Sequence, residues 1–374
     1  MFTLSNENKE KFQHQVNKIN NTDETKVRDN INKEINILEE KLAKKPSEKI
    51  KTLIDNTKLL YEILSTTEFP ISDSSKKWIV FGLGYLVSDV DLIPDIIPLI
   101  GYNDDAMIIS WVHSMIDDDI TRFSYFKKAK DLSTKGKVLK QLVQGQGDKH
   151  VILLNGFIEI STTEKEEANW AKLIRSINTN TDTPGISILK WDISYLNEFS
   201  KTIPMIDHKL NLKPIYDSEA FGIEWQQLKI DMKNIGKAVY REILNIQEGN
   251  PDKEIYIIST DVGSISLISA FSEANHNLAS KVFIMGGTTT NDELYNSLTN
   301  KVLKSYNFYS DNDHIVRFIY DNYEECKTPI GLGGIQSESA ISFFNVDSSK
   351  TISRHQDYKF KMADLINKEL RRSK

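Results

Sequence analysis

Apolar and polar positions follow two rhythms along this chain, and the change of rhythm divides it. From residue 5 to about residue 65 the chain is polar and charged, with apolar residues at helical spacing, as at Ile31, Ile35, Leu38 and Leu42. That spacing puts them on one helix face and predicts two or three helices, with a break at Lys45-Pro46-Ser47. Beyond residue 150 short apolar runs appear instead: 151–157, 186–191, 254–260, 281–287, 304–310 and 340–347. Helical patterns separate them at about 164–178, 219–247, 263–275, 291–301 and 313–323. Six strands alternating with helices predict an α/β fold, a mostly parallel sheet flanked by helices and preceded by an all-helical N-terminal region.

Residues 75–125 fit neither rhythm. Between Trp78 and Thr121 there is no Lys, Arg or Glu, yet eight aspartates stand at 89, 91, 95, 104, 105, 117, 118 and 119. The charge-free runs 78–88 and 106–116 are about half the ~20 residues a membrane-crossing helix needs, and Pro94 and Pro98 fall between them. A buried helical hairpin is the expectation, with contact to a membrane surface through 78–116, or docking as a lid, as the alternative. The organisation predicted is 1–70 helical, 71–130 hairpin and 145–374 α/β.

Composition narrows the partners. With 47 basic against 53 acidic residues, a net of −6, nothing argues for nucleic acid. The single cysteine, Cys326, cannot form an internal disulfide, and no signal-peptide pattern opens the chain. A cytoplasmic or peripherally membrane-associated location is expected, with leaderless secretion as another route. The N-terminal helices offer a surface for a protein partner. Asp89, Asp91 and Asp95 are close in sequence but lack the spacing of a calcium loop, and Asp104 and Asp105 precede the helical run from Ala106 as caps would. His113, His208 and His276 have no ligand-like spacing, so neither metal nor cofactor is expected.

The chemistry centres on Asp261. The run 254–260, the tight turn at Asp261-Val262-Gly263 and the helical pattern from Ile265 make a strand, sharp turn and helix, the layout of a nucleophile elbow. Its usual signature is G-x-S-x-G; here the five positions read Ser259-Thr260-Asp261-Val262-Gly263, with a carboxylate where the hydroxyl would stand. In such folds acid and histidine follow the nucleophile in chain order. Asp313 (with Asp311 second) follows the strand 304–310, and His355 follows the strand 340–347. Phe157 and Val262 are the expected backbone donors of an oxyanion hole. A shifted register would make Ser259 or Ser264 the nucleophile instead.

Tyr309-Ser310-Asp311-Asn312-Asp313-His314-Ile315-Val316-Arg317-Phe318, Ile330-Gly331-Leu332-Gly333-Gly334 and Asn345-Val346-Asp347 followed by His355-Gln356-Asp357-Tyr358 resemble the α/β-hydrolase-like family DUF726, over roughly 145–370. Tyr85 to Ala106, with its Asp-Val-Asp-Leu-Ile-Pro-Asp core, resembles the DUF1232 family, which is often found in membrane-associated proteins. The first resemblance implies a hydrolase fold that would normally carry serine at the elbow. Aspartate there is similar to haloalkane dehalogenases and epoxide hydrolases, in which a carboxylate attacks a saturated carbon. The expected function is hydrolysis of a small apolar or lipid-like molecule through Asp261, His355 and Asp313. The alternative is a catalytically inactive fold serving as a binding scaffold or secreted effector.

Overall fold

The computed structural model describes residues 6–87, 102–156, 163–177, 183–207, 217–324, 327–335 and 342–371. The chain divides into two compact units, 1–124 and 125–374.

The first unit is helical: α1 Asn6–Val16, α2 Asn21–Lys44, α3 Glu48–Ser65, α4 Asp73–Val87, α5 Asn103–Met115 and the start of α6 Asp117–Lys135. Helix α2 opens with a capping box between Asn20 and Asp23 and buries Val27, Ile31, Ile35 and Leu38 along one stripe. The break after α2 falls where proline interrupts the pattern, and Ser47 caps α3. The uncharged run of α4 supplies core: Trp78, Ile79, Val80, Phe81, Leu83 and Leu86 are buried. Among the described residues no helix is long and apolar enough to cross a membrane. One expectation is corrected. Asp104 and Asp105 do not cap α5; they lie inside its first turn, which begins at Asn103 after a Tyr102 that makes no side-chain cap bond. The helix starts earlier than the apolar run because Asn103 and the two acids already favour a first turn. Asp89, Asp91 and Asp95 lie outside the described residues.

The second unit is built on a seven-stranded sheet in the order β1-β3-β2-β4-β5-β6-β7. Its elements are β1 Leu139–Val143, β2 Lys149–Leu154, α7 Thr163–Ile177, β3 Gly185–Leu189, α8 Asn197–Asp207, α9 Ser218–Gly249, β4 Glu254–Thr260, α10 Gly263–Glu273 and β5 Ala279–Met285. They continue with α11 Asn291–Leu298, β6 Val302–Tyr309, α12 His314–Tyr323, α13 Ile330–Gly333, β7 Phe343–Asp347, α14 Asp357–Lys361 and α15 Ala363–Arg371. All neighbouring pairs are parallel except β1 with β3. The sequence pattern predicts six strands; β1 is the seventh, a half-exposed edge strand with Lys140 and Gln141 at its centre, too polar and short to stand out.

Strand residues alternate between two cores. Ile255, Ile257, Val282 and Ile284 point to the face covered by α9 and α10, whose Trp225, Met232, Ile235, Leu267 and Phe271 are buried there. Tyr256, Ile258, Phe283 and Met285 point to the other face, against Trp170 and Leu173 of α7 and Tyr358, Ile366 and Leu370 near the C-terminus. Burial on both faces explains why these strands read as near-continuous apolar runs. It also leaves the carboxyl ends of the strands as the place where polar side chains can gather, the usual position of ligand sites in such sheets.

Candidate active site

Asp261 follows the last residue of β4 and precedes α10, with φ of +47°. A left-handed backbone is uncommon outside glycine, and Asp tolerates it better than most side chains. The turn is pinned on both sides. Asp261 N–H donates to Met285 O at 3.2 Å, and Asp261 O accepts from Ser264 N–H at 3.0 Å and Thr288 N–H at 3.4 Å. The carboxylate rises against the end of β2, where Gly156 makes room: a Cβ there would lie 1.6 Å from Asp261 Oδ2. Gly286, after β5, does the same for the partners. Its φ is +56°, and a Cβ would lie 2.9 Å from Asp313 Oδ2 and 3.0 Å from His355 Cε1.

Three side chains from three strand ends converge. His355 Nε2 is ion-paired with Asp261 Oδ1, and His355 Nδ1–H donates to Asp313 Oδ2 at 2.6 Å. Asp313 is also the N-cap of α12, its Oδ1 accepting from Val316 N–H at 3.1 Å. One carboxylate thus fixes both a helix start and the imidazole, which leaves it little freedom to turn. The histidine loop is tied to the acid loop, since Asn312 Nδ2 donates to Ser349 O at 2.7 Å and Ile352 O at 3.3 Å. Within the loop Asp357 Oδ2 accepts from Ser353 N–H, Ser353 Oγ and Arg354 N–H at 3.0, 2.9 and 3.1 Å. Burial opposes the charge of Asp357, but Lys361 and Ser353 hold it down at about 2, so this clasp stays ionised.

Asp261 and Asp313 are fully buried and His355 is 3% exposed. Burial works against a charged imidazole, yet the carboxylates of Asp261 and Asp313 outweigh it and lift His355 to about 9. The resting site therefore holds an imidazolium between carboxylates. Tyr358 stands edge-on to His355 at 5.8 Å between ring centres. Burial, then Asp313 and Asp261, push its phenol well above the ordinary range, so it stays protonated.

The other residues marked in the sequence fall as follows. Val262 is the N-cap residue of α10, directly after Asp261, with its backbone at the positive end of that helix. Phe157 lies outside the described residues. Ser259 is buried within β4, two residues before the turn. Ser264 sits in the first turn of α10, its hydroxyl donating to Asp261 O at 2.6 Å and accepting from Thr288 N–H at 3.1 Å, a fastening for the elbow. Asp311 is on the surface side of its loop, its N–H donating to Ser349 Oγ at 3.1 Å. Sequence reasoning missed Asp207, at the end of α8, whose Oδ1 accepts from His355 N–H at 3.1 Å. No motif marks it. Asn155, which the strand pattern already sets with Asp261, Asp313 and His355 at the carboxyl ends of the strands, accepts from Trp170 Nε1 at 2.8 Å and donates to Leu189 O at 3.0 Å, holding the end of β2 beside the elbow. Among the described residues no His, Cys, Asp or Glu side chains are grouped as a metal would require.

Comparison with known proteins finds no match among curated proteins or among solved structures. Two family models do match. Residues 75–111, in the helical first unit, match a protein family of unknown function, DUF1232. Residues 254–371, the part of the sheet unit that carries Asp261, Asp313 and His355, match a second protein family of unknown function, DUF726.

Proposed function

We propose that this protein is a hydrolase of the α/β-hydrolase type that works through an aspartate nucleophile on a small, uncharged, apolar or lipid-like substrate. The observation that carries this reading is the contact of one imidazole with both the elbow carboxylate and a helix-capping carboxylate, the arrangement of nucleophile, base and orienting acid. An Asp261 oxygen attacks a saturated carbon of the substrate and displaces its leaving group, forming an alkyl ester of Asp261. Esterification removes the negative charge of Asp261, a main support of the imidazolium, so His355 gives its proton to the departing alkoxide, or to solvent where the group leaves as a halide, and becomes a base. It then takes a proton from water that attacks the ester carbonyl carbon, while Asp313 steadies the imidazolium that forms again. Val262 N–H donates to the oxyanion of that step, a role supported by its position as the N-cap residue of α10 directly after Asp261. Collapse releases the alcohol and restores the Asp261 carboxylate. Two carboxylates around one imidazolium, all buried, disfavour anionic substrates.

Intact-protein mass spectrometry with a panel of epoxides, haloalkanes and esters tests this. His355→Gln should accumulate a covalent adduct on the peptide that contains Asp261, because the ester forms but is not cleaved. Asp261→Asn should show neither adduct nor turnover; turnover that survives in Asp261→Asn removes Asp261 as the nucleophile.

A second reading, a catalytically silent hydrolase fold acting as a binding scaffold, is favoured by the burial of all three side chains. A substrate consumed only when Asp261 and His355 are both intact decides against it.

A further inference from the structure

His355 is met from four directions. Asp261 approaches from the end of β4, Asp313 from the cap of α12, Tyr358 from α14 and Asp207 from the end of α8. The first three lie within the 254–371 segment, whereas Asp207 is 148 residues from His355 in sequence. Helix α8 that carries it is inserted between β3 and β4 and is anchored at both its start and its face. Glu224 of α9 accepts from Glu198 N–H at 3.1 Å and Phe199 N–H at 2.6 Å, closing the first turn. Phe199, Ile203 and Ile206 bury the apolar side in the sheet core. Asp207, 6% exposed, is thereby presented to the backbone of the histidine loop by a rigid element rather than by a loose side chain.

We propose that Asp207 is a positioning residue for His355, holding its backbone through the N–H and adding a third carboxylate that favours the charged imidazole. This rests on His355 being the base of the proposed reaction. The consequence is that the state of the base is set partly by an element outside the nucleophile–acid–histidine sequence. A shift of α8 would loosen the histidine and lower its charge together. Asp207 is among the groups that raise the His355 imidazole, alongside Asp261 and Asp313.

The test is a ring-nitrogen NMR titration of His355 in the full chain, which needs no substrate. Asp207→Asn keeps an oxygen to accept from His355 N–H and removes only the charge. Its His355 midpoint should fall below that of the wild type, with the downfield proton of the His355–Asp313 hydrogen bond retained. Asp207→Ala should lower the midpoint and also broaden or lose that proton. If Asp207→Asn titrates with the wild-type midpoint, the proposal is overturned, and the Asn variant decides this even should the Ala variant not fold. That failure leaves the hydrolase reading standing. The hydrolase reading fails separately, if His355→Gln turns over substrate as the wild type does.

Discussion

A left-handed turn, two glycines and three carboxylates explain most of what happens around residue 355, and each can be probed alone. Gly156→Ala would put a methyl group 1.6 Å from Asp261 Oδ2, so the carboxylate or β2 must move. Overpacking of this kind costs about 1–3 kcal/mol; a lowered denaturation midpoint and a disturbed His355 spectrum should appear together. The imidazole also ties stability to pH. His355 rises from an ordinary value of 6.5 to about 9 on folding. A raised value means the folded state holds the proton more tightly. The stabilisation is therefore complete below pH 6.5 and is lost as pH rises through about 9. The slope in that window is at most about 1.4 kcal/mol per pH unit, and Asp261→Asn should flatten it in urea titrations. Asp261 was legible in the sequence because it follows a buried apolar strand, and Asp313 and His355 because they follow the strand-like runs of β6 and β7, although β7 is half-exposed. Asp207 was not, since it reaches His355 through a backbone N–H, which leaves no trace in residue type at the receiving end. Asp313 ranks ahead of Asp311 on sequence alone, without a reason that the residue types themselves supply. The choice is made by α12, whose first turn takes Asp313 as its cap and turns Asp311 outward.

Among elements, legibility followed burial. Strands β4 and β5 and helices α9 to α12 stand out because both-face burial gives unbroken apolar runs and one-face burial gives a clean helical period. Strand β1 hides behind Lys140 and Gln141, and α8 behind an internal Pro204 that argues against a helix although the fold tolerates it. Helix α8 is capped from a distance by Glu224 rather than by its own N-cap residue. Glu224→Ala should therefore cost about 1–2 kcal/mol, the worth of a good cap. Hydrogen exchange should quicken first at the amides of Glu198 and Phe199. Unchanged protection there would mean that the apolar face of α8, not its cap, holds it in place.

At the scale of the molecule, each unit carries its own buried ionisable site, and the two titrate in different windows. In the first unit Asp105 is raised to about 7 by burial, then by Asp104 and Glu34, against the pull of Lys41. An acid with a raised value contributes stability that is complete below its ordinary 3.8 and is lost as pH climbs through about 7. Thermal unfolding followed across pH should thus show stability falling as pH rises from 3.8 to about 7, a loss that Asp105→Asn removes. The alkaline loss from His355 should remain untouched by that change. The helical unit and the sheet unit were both legible from the change in apolar rhythm. The detailed use of the aspartate-rich segment was not, because acids in a first helical turn and acids at a cap look the same in sequence. The torsion at Asp261 also bears on how such a molecule could arise. Two codons lie one base from both an AGY serine and a GAY aspartate, and they encode asparagine and glycine, the residues for which a left-handed backbone costs least. A lineage that exchanged a serine elbow for this one could cross through intermediates that had no nucleophile yet kept the turn, so the change of chemistry would not have required the fold to be rebuilt.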